Sequence, residues 1–375
     1  FSGAMPMSYN VQRAHPISPD DRFEKGTAPT MNTVNVLVMA PILGDDLSFI
    51  SGVDSRVRVL DGSAAYAAEI EAQGARSLTP TGPTGDLPSQ EERDALFAQA
   101  DILLISHPVM NHIMSRAPRL KWVHHTQAGV SNLLNSDVWD SEIALTSSRG
   151  YVATASIAQY AFAGILYFSR GLFDASLDKL SGEIDRSHYL TPQLADSTVG
   201  IVGLGGIGAE LARIARFFSM RVAATRRSAR SPQQDVDGVD LLLPADHLAE
   251  MAAQSDYLVV CAQLTDETKG LVNQQIVESM KPDSVLINVS RGEVVDEDAL
   301  VAGLRSGRIR GAVLDVYQGE LQGIPPRREL MEMPQVLINS HASSNGADWI
   351  DLLRGLFSDN LRRFLNDEPL LNLVD

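Results

Sequence analysis

The chain has 375 residues, which exceeds the usual size of a single hydrophobic core and predicts two domains. Its composition, 44% hydrophobic and 21% charged, is typical of a soluble globular protein. A formal net charge of −16 argues against nucleic acid as a partner, because a phosphate backbone binds basic surfaces.

The single cysteine, Cys261, lies in the apolar run 257–262, which predicts a buried strand. One cysteine permits neither a disulfide framework nor a cysteine-based metal site, so we expect a reducing, cytoplasmic compartment. The most membrane-like stretch, 161–168, is far shorter than the ~20 residues that span a bilayer, and residues 1–30 lack the apolar core of a signal peptide. We therefore expect no membrane partner.

The histidines are not spaced as metal ligands. His124 and His125 are adjacent, so on a strand they point to opposite faces. His107 and His112 are five positions apart, one more than the spacing that stacks two ligands on a helix. We therefore expect no metal site.

The first unit begins with a predicted strand at 34–40. A loop rich in Pro, Gly and Thr follows at 79–89, and a Ser89…Glu92 capping box then opens a predicted helix at 90–99. Two further strands are predicted at 101–106 and 120–124.

A second unit is entered through a long predicted helix at 153–171, whose apolar residues recur at three- and four-residue spacing. Apolar strands separated by helices then imply a parallel sheet covered on both faces, an α/β doubly wound fold. The closing segment, 347–373, is an amphipathic helix and tail that we expect to fold back on the first unit. The predicted strands of this unit are 198–203, 221–225, 256–262, 284–289, 310–316 and 335–339.

The clearest motif is a GxGxxG run between a predicted buried strand and an amphipathic helix. Gly203 permits the tight turn, Gly205 lets a pyrophosphate approach the backbone, and Gly208 lets helix and strand pack closely. The helix N-terminus adds unpaired N–H groups and a partial positive charge. A dinucleotide site is therefore favoured over a ligand-free turn. Its predicted residues are Gly203, Leu204, Gly205, Gly206, Ile207 and Gly208.

The second strand of this unit ends in Arg226 and Arg227, where NAD-binding folds carry an acid for the ribose 2′-hydroxyl. A 2′-phosphate prefers a guanidinium and is repelled by a carboxylate. NADP (NADPH) is therefore predicted, with NAD second. The alternative is that both arginines are solvated surface residues.

Three later loops carry side chains suited to the reduction of a 2-oxo acid. Arg291 offers a cation for the carboxylate and carbonyl oxygen, and His341 offers a proton near neutral pH. Glu320 would orient and charge that histidine, and Asp315 could hold the nicotinamide carboxamide. For each residue a surface or core role without chemistry stays open.

From about residue 120 onward the chain resembles the D-isomer-specific 2-hydroxyacid dehydrogenase family, close to the NADP-dependent glyoxylate and hydroxypyruvate reductases. It departs from the usual family residues at Gln159, Gln263 and Ser340. The matching runs are 120–123, 128–130, 199–208, 288–292, 294–297, 311–316 and 360–363.

The resemblance implies that Arg291, Glu320 and His341 form the catalytic trio. It also implies a homodimer with the long helix in its interface. The implied domains are a substrate domain at 1–147, an NAD(P)-binding Rossmann domain inserted at 148–345, and a C-terminal return to the substrate domain at 346–375. The implied substrate-binding residues are Ala128, Gly129, Val130 and Arg291, and the further cofactor contacts are Gln263, Thr268, Asn288, Val289, Asp315, His341 and Ser343.

These features predict hydride transfer between NADPH and C2 of a small 2-oxo or 2-hydroxy acid. The competing hypothesis is an interaction protein that senses dinucleotides, like the C-terminal-binding co-repressors, which share the fold and the trio. Their preference for NAD(H) argues against it here. The side chain at C3 of the substrate stays open.

Overall fold

The computed structural model describes residues 33–74, 87–130, 133, 136–189, 191–346 and 349–374. Most of the loop predicted at 79–89 lies outside these residues. The five-stranded first sheet has the order β2-β1-β3-β4-β5, and every neighbouring pair is parallel. Its strands are β1 Val34–Met39, β2 Val57–Asp61, β3 Ile102–Ile105, β4 Trp122–His125 and β5 Ala144–Ser147.

Uninterrupted apolar runs form the central strands of this sheet because helices cover both of its faces. All four residues of β3 are buried, as this arrangement requires. The predicted capping box is confirmed: the Ser89 side chain accepts from the Glu92 amide, and the helix that follows ends at Phe97 rather than at residue 99. The helices here are α1 Ser48–Ser51, α2 Ser63–Gln73, α3 Gln90–Phe97 and α4 Ile113–Arg116.

The second sheet has the order β13-β12-β11-β10-β6-β7-β9-β8, and its pairs are parallel except for β8 with β9. The predicted α/β fold is thereby confirmed. The strands are β6 Thr198–Val202, β7 Arg221–Arg226, β8 Gln233–Val236, β9 Val239–Pro244, β10 Tyr257–Val260, β11 Val285–Asn288, β12 Gly311–Leu314 and β13 Val336–Ile338. The helices are α5 Thr154–Ser169, α6 Leu172–Ser181, α7 Gly206–Phe217, α8 Leu248–Ala252, α9 Gln274–Ser279, α10 Glu297–Arg305 and α11 Arg328–Glu332.

The order of the second sheet creates a crevice beside its first strand. The chain runs from β6 to β7 on one side and later returns to β10 on the other side of β6. Loops that leave the carboxyl ends of β6 and β10 therefore separate, and ligands of open α/β sheets bind at such a switch point. The glycine turn follows β6 at this position.

The predicted C-terminal helix is confirmed as α12, Trp349–Leu365, and it packs on the first sheet. Phe357 is fully buried and stacks on Trp122 of β4, with ring centroids 5.2 Å apart. Burial of one such aromatic side chain contributes about 2–3 kcal/mol. The chain therefore returns to its first unit after it completes the second. The exact domain boundaries at 147/148 and 345/346 stay a prediction.

Among the described residues, none of the helices is both long and apolar enough to cross a bilayer. The same residues contain no group of three or more His, Cys, Asp or Glu side chains placed to hold a metal ion.

Candidate active site

The glycine turn has the close contacts and the opening that a dinucleotide requires. Gly203 has φ +96°, and a Cβ there would lie 2.9 Å from the Ala262 Cα. A Cβ on Gly208 would lie 2.5 Å from the Gly203 carbonyl oxygen. A Cβ on Gly205, in contrast, would meet nothing within 4 Å. The first and last glycines thus close the turn, and the middle glycine leaves backbone open to a ligand.

Helix α7 begins directly at this open backbone. Its N-cap, Gly205, has no side chain to bond the first N–H groups. These groups and the positive end of the helix dipole therefore face the opening beside β6. The turn fits the pyrophosphate of a nicotinamide dinucleotide.

Arg226, at the end of β7, reaches back to the glycine turn. Its Nε donates to the Leu204 carbonyl oxygen at 3.2 Å, and its Nη1 lies 2.6 Å from Oδ2 of Asp237. Arg227 is exposed beside it. The sequence places only basic residues at the end of β7, whereas the fold brings the carboxylate of Asp237 next to Arg226.

Asp237 comes from the tight turn between β8 and β9. Val236 pairs with Val239, and the two turn residues, Asp237 and Gly238, have φ +53° and +78°. An Asp-Gly pair between apolar residues is a strong hairpin signal, so the turn was detectable from the sequence. The contact between Asp237 and Arg226 could not be predicted from the sequence, because the contact depends on the pairing of β9 with β7.

The loop that follows β10 is tied by one threonine. The Thr268 hydroxyl donates to the Gln263 carbonyl oxygen at 2.6 Å and accepts from the Thr265 amide at 2.7 Å. Gln263 therefore lies in a fixed turn on the far side of the crevice from Arg226.

The loop that follows β11 holds Arg291 by short-range hydrogen bonds. The Asn288 side chain accepts from the Ser290 amide at 3.1 Å and donates to the Arg291 carbonyl oxygen at 2.9 Å. Val289, which lies between Asn288 and Ser290, is buried. A Cβ on Gly292 would lie 2.0 Å from the Tyr317 carbonyl carbon, so only glycine fits where the loop passes the chain after β12.

The Arg291 side chain is half-buried, and it has no carboxylate partner in the described part of the chain. Its Nη1 donates to the Ser290 carbonyl oxygen at 2.7 Å, and its Nε is buried without a hydrogen-bond partner there. Burial lowers the pKa of Arg291, while Glu320 and other acids at longer range oppose this effect. A partly buried cation without an ion pair favours the binding of an anion.

Gly129 lies directly against this guanidinium. A Cβ at Gly129 would lie 1.8 Å from the Arg291 Nη2, so the loop after β4 meets the loop after β11 here with no room for a side chain. Within the described residues, the amides of Ala128, Gly129 and Val130 donate to no backbone carbonyl. The fold thus brings the predicted carboxylate-binding residues to the predicted arginine.

His341 and Glu320 form a short hydrogen bond. The Nδ1 of His341 donates to Oε1 of Glu320 at 2.6 Å, and the glutamate side chain is only 8% exposed. The other ring nitrogen, Nε2, is left for a substrate. His341 has φ +56°, in the left-handed region that histidine tolerates better than most residues.

Asp315 supports the backbone around this histidine. Its carbonyl oxygen accepts from the His341 amide at 2.8 Å, and its carboxylate accepts from the amide and hydroxyl of Ser343 and from the Asn339 side chain. Asp315 and Ser343 are both buried. They fix the loop after β13, and whether either touches the cofactor stays a prediction.

Two further histidines, His107 and His125, lie near Arg291, although the sequence pattern assigns them no role in the reaction. The ring of His107 is mostly buried, and burial, together with the charges of Arg291 and His341, lowers its pKa to about 4. His125 is fully buried, and burial lowers its pKa to about 3. In the sequence they are marked by position alone, since His107 lies two residues after β3 and His125 is the last residue of β4.

Comparison with known proteins agrees with this geometry. Residues 162–343 match the NAD-binding domain of the D-isomer specific 2-hydroxyacid dehydrogenases. A glyoxylate reductase from Pyrococcus furiosus is 30% identical over 281 residues, which cover 73% of this chain and 81% of the relative. An (S)-sulfolactate dehydrogenase from Chromohalobacter salexigens is 31% identical over 264 residues, which cover 68% and 81%.

A solved structure extends the match to the whole fold. A D-isomer specific 2-hydroxyacid dehydrogenase from Xanthobacter autotrophicus, in complex with NADPH and MES, has 25% sequence identity and a TM-score of 0.69. The match covers 91% of this chain and 98% of that one. The chain therefore belongs to the D-isomer specific 2-hydroxyacid dehydrogenase family.

Proposed function

We propose that the protein is an NADP-dependent D-2-hydroxyacid dehydrogenase that reduces small 2-oxo acids, with His341 as the general acid and base. Family membership makes it an oxidoreductase of 2-hydroxy acids that uses a nicotinamide dinucleotide. The observation that carries the finer proposal is the 2.6 Å hydrogen bond between His341 and Glu320, which lies close enough to Arg291 for the glutamate charge to act on it.

Each side chain has a distinct role in the proposed reaction. Arg291 and the amides at 128–130 bind the substrate carboxylate, and the guanidinium polarises the C2 carbonyl oxygen. When bound, the nicotinamide ring supplies a hydride to C2. The Nε2 of His341 gives its proton to the C2 oxygen, and Glu320 stabilises the protonated imidazole before that step. In the reverse direction His341 takes the proton from the C2 hydroxyl.

The cofactor preference is supported by Arg226 and Arg227. Arg226 lies beside the glycine turn, at the position where a ribose 2′-phosphate is expected. The Xanthobacter relative was solved with NADPH, which agrees with this choice. Asp237 opposes it, because the Arg226 guanidinium has to exchange one carboxylate contact for the phosphate. The exchange is favourable because a phosphate accepts two hydrogen bonds from the planar guanidinium.

The expected homodimer is supported by three exposed apolar side chains on and after α6. Leu172, Leu180 and Ile184 are 53%, 84% and 80% exposed, and they follow the long helix α5 that the family resemblance places in an interface. Large apolar side chains exposed to this extent are costly in water and favour burial in an interface. Light scattering with wild type and an Ile184→Glu variant measures the oligomeric state directly.

One kinetic experiment tests the central proposal. Glyoxylate, pyruvate and hydroxypyruvate are assayed with NADPH and with NADH by absorbance of the reduced nicotinamide, for wild type and His341→Ala. We expect turnover with NADPH at higher kcat/KM than with NADH, and a loss of kcat of about 10²- to 10⁴-fold in the variant. Near-normal turnover of His341→Ala contradicts the assigned role. A higher kcat/KM with NADH contradicts the cofactor assignment alone.

A further inference from the structure

The loops that follow β3 and β4 leave the first sheet side by side. Ile105 at the end of β3 is in register with His125 at the end of β4. Two residues beyond each strand, the His107 amide donates to Oε1 of Gln127 at 3.1 Å. Gln127 directly precedes the carboxylate-binding residues 128–130, so His107 is attached to the substrate site through one hydrogen bond.

The backbone of His107 is held from its other side as well. The Tyr66 hydroxyl donates to the His107 carbonyl oxygen at 2.6 Å, and Tyr66 is fully buried. With the amide and the carbonyl both bonded, the position of the residue is fixed before a substrate binds. Such preorganisation reduces the entropic cost of a contact.

The His107 ring is half-buried and lies close enough to Arg291 and His341 for their charges to act on it. In the described part of the chain its Nδ1 is buried and has no hydrogen-bond partner. Burial, together with the charges of Arg291 and His341, lowers the pKa of this ring to about 4, so the imidazole is neutral near pH 7. His125, at the end of β4, is fully buried, and burial lowers its pKa to about 3.

We propose that His107 binds an oxygen atom on C3 of the substrate, so that the enzyme prefers 3-hydroxy-2-oxo acids to 2-oxo acids without an oxygen on C3; this inference rests on the proposed function. Arg291 and His341 engage the C1 carboxylate and the C2 oxygen, which leaves C3 as the next position for a contact. A neutral imidazole has one nitrogen that donates and one that accepts, and a hydroxyl group can form a hydrogen bond with either of them.

The same chemistry disfavours the other substituents. A C3 carbon without an oxygen, as in pyruvate, leaves the buried ring nitrogen unsatisfied, which is costly inside a protein. A second anion at C3 calls for a cationic partner, and the neighbouring Arg291 and His341 resist protonation of His107. A site with an unpaired polar group discriminates against an analogue that cannot form a hydrogen bond with that group. We therefore expect kcat/KM for hydroxypyruvate to exceed that for pyruvate by about 10- to 100-fold.

The test is the ratio of kcat/KM for hydroxypyruvate to that for pyruvate, with glyoxylate, which has no C3, as an internal reference. The assay uses NADPH with wild type, His107→Leu and His107→Gln. We expect the wild type to prefer hydroxypyruvate, His107→Leu to lower the ratio by about 10-fold or more, and His107→Gln to restore part of it. His247→Leu is the matched control, because His247 is exposed and lies in the other unit.

The outcomes separate this inference from the proposed function. If wild type reduces glyoxylate but does not prefer hydroxypyruvate to pyruvate, the inference alone is overturned, whether or not the variants fold. A ratio that changes by less than about threefold in His107→Leu overturns it as well. A parallel loss with all three acids shows that His107 acts at C1 or C2 and also overturns it. Wild type that reduces none of the acids with either cofactor overturns both proposals.

Discussion

Replacement of Arg226 by alanine is expected to separate the two nicotinamide cofactors. The Arg226–Asp237 pair is short, at 2.6 Å, but its side chains are 33% and 48% exposed. An exposed ion pair contributes at most about 1 kcal/mol to stability, so Arg226 can exchange the Asp237 carboxylate for a phosphate that binds more strongly. Hydrogen bonds from a guanidinium to a phosphate contribute about 1.5–3 kcal/mol. The expected loss of kcat/KM with NADPH is therefore about 10- to 150-fold.

The assay compares NADPH and NADH with wild type, Arg226→Ala and Asp237→Asn at one saturating 2-oxo acid. NADH carries no 2′-phosphate, so its kcat/KM is expected to change less than about threefold in Arg226→Ala. Asp237→Asn removes the competing carboxylate and is expected to raise kcat/KM with NADPH about 2- to 5-fold. Arg328→Ala is the control, because that arginine is 87% exposed on α11. Equal losses with both cofactors in Arg226→Ala would refute the reasoning.

Three further outcomes follow from the same contacts. Glu320→Gln keeps the hydrogen bond to His341 but not the charge, so kcat is expected to fall about 10- to 100-fold with little change in cofactor Kd; unchanged kcat counts against the proposed role. Gly129→Ala places a Cβ against Arg291 and is expected to raise KM for the 2-oxo acid at least tenfold, without loss of NADPH binding by fluorescence titration. Urea unfolding is expected to show stability that is complete above pH ~6.5 and falls as pH decreases, because burial lowers the pKa of His124 and of His125 to about 3 and the unfolded chain binds protons first. Each such histidine contributes a slope of about 1.4 kcal/mol per pH unit, and His125→Gln is expected to reduce the slope by one proton.

Much of the fold follows from local patterns along the chain. Apolar runs such as β3 Ile102–Ile105 and β10 Tyr257–Val260 are typical of strands buried on both faces, and they were predicted to within about two residues. The short, polar β8 Gln233–Val236 was not predicted, because an exposed edge strand carries little apolar periodicity. β2 Val57–Asp61 was also not predicted, although apolar and charged residues alternate along it as in a half-buried strand, because the run is only five residues long.

Local patterns along the chain are enough to predict the glycine turn, the α/β class and the residue types of the proposed reaction, because these depend on neighbours within a few positions. The surroundings of these residues depend on the tertiary fold. Asp237 meets Arg226 through the pairing of β9 with β7, and Gly129 meets Arg291 where the loops after β4 and β11 come together. His107 joins the same cluster because β3 and β4 are parallel neighbours. Contacts between residues that are distant in sequence depend on strand order, and strand order is a property of the folded chain.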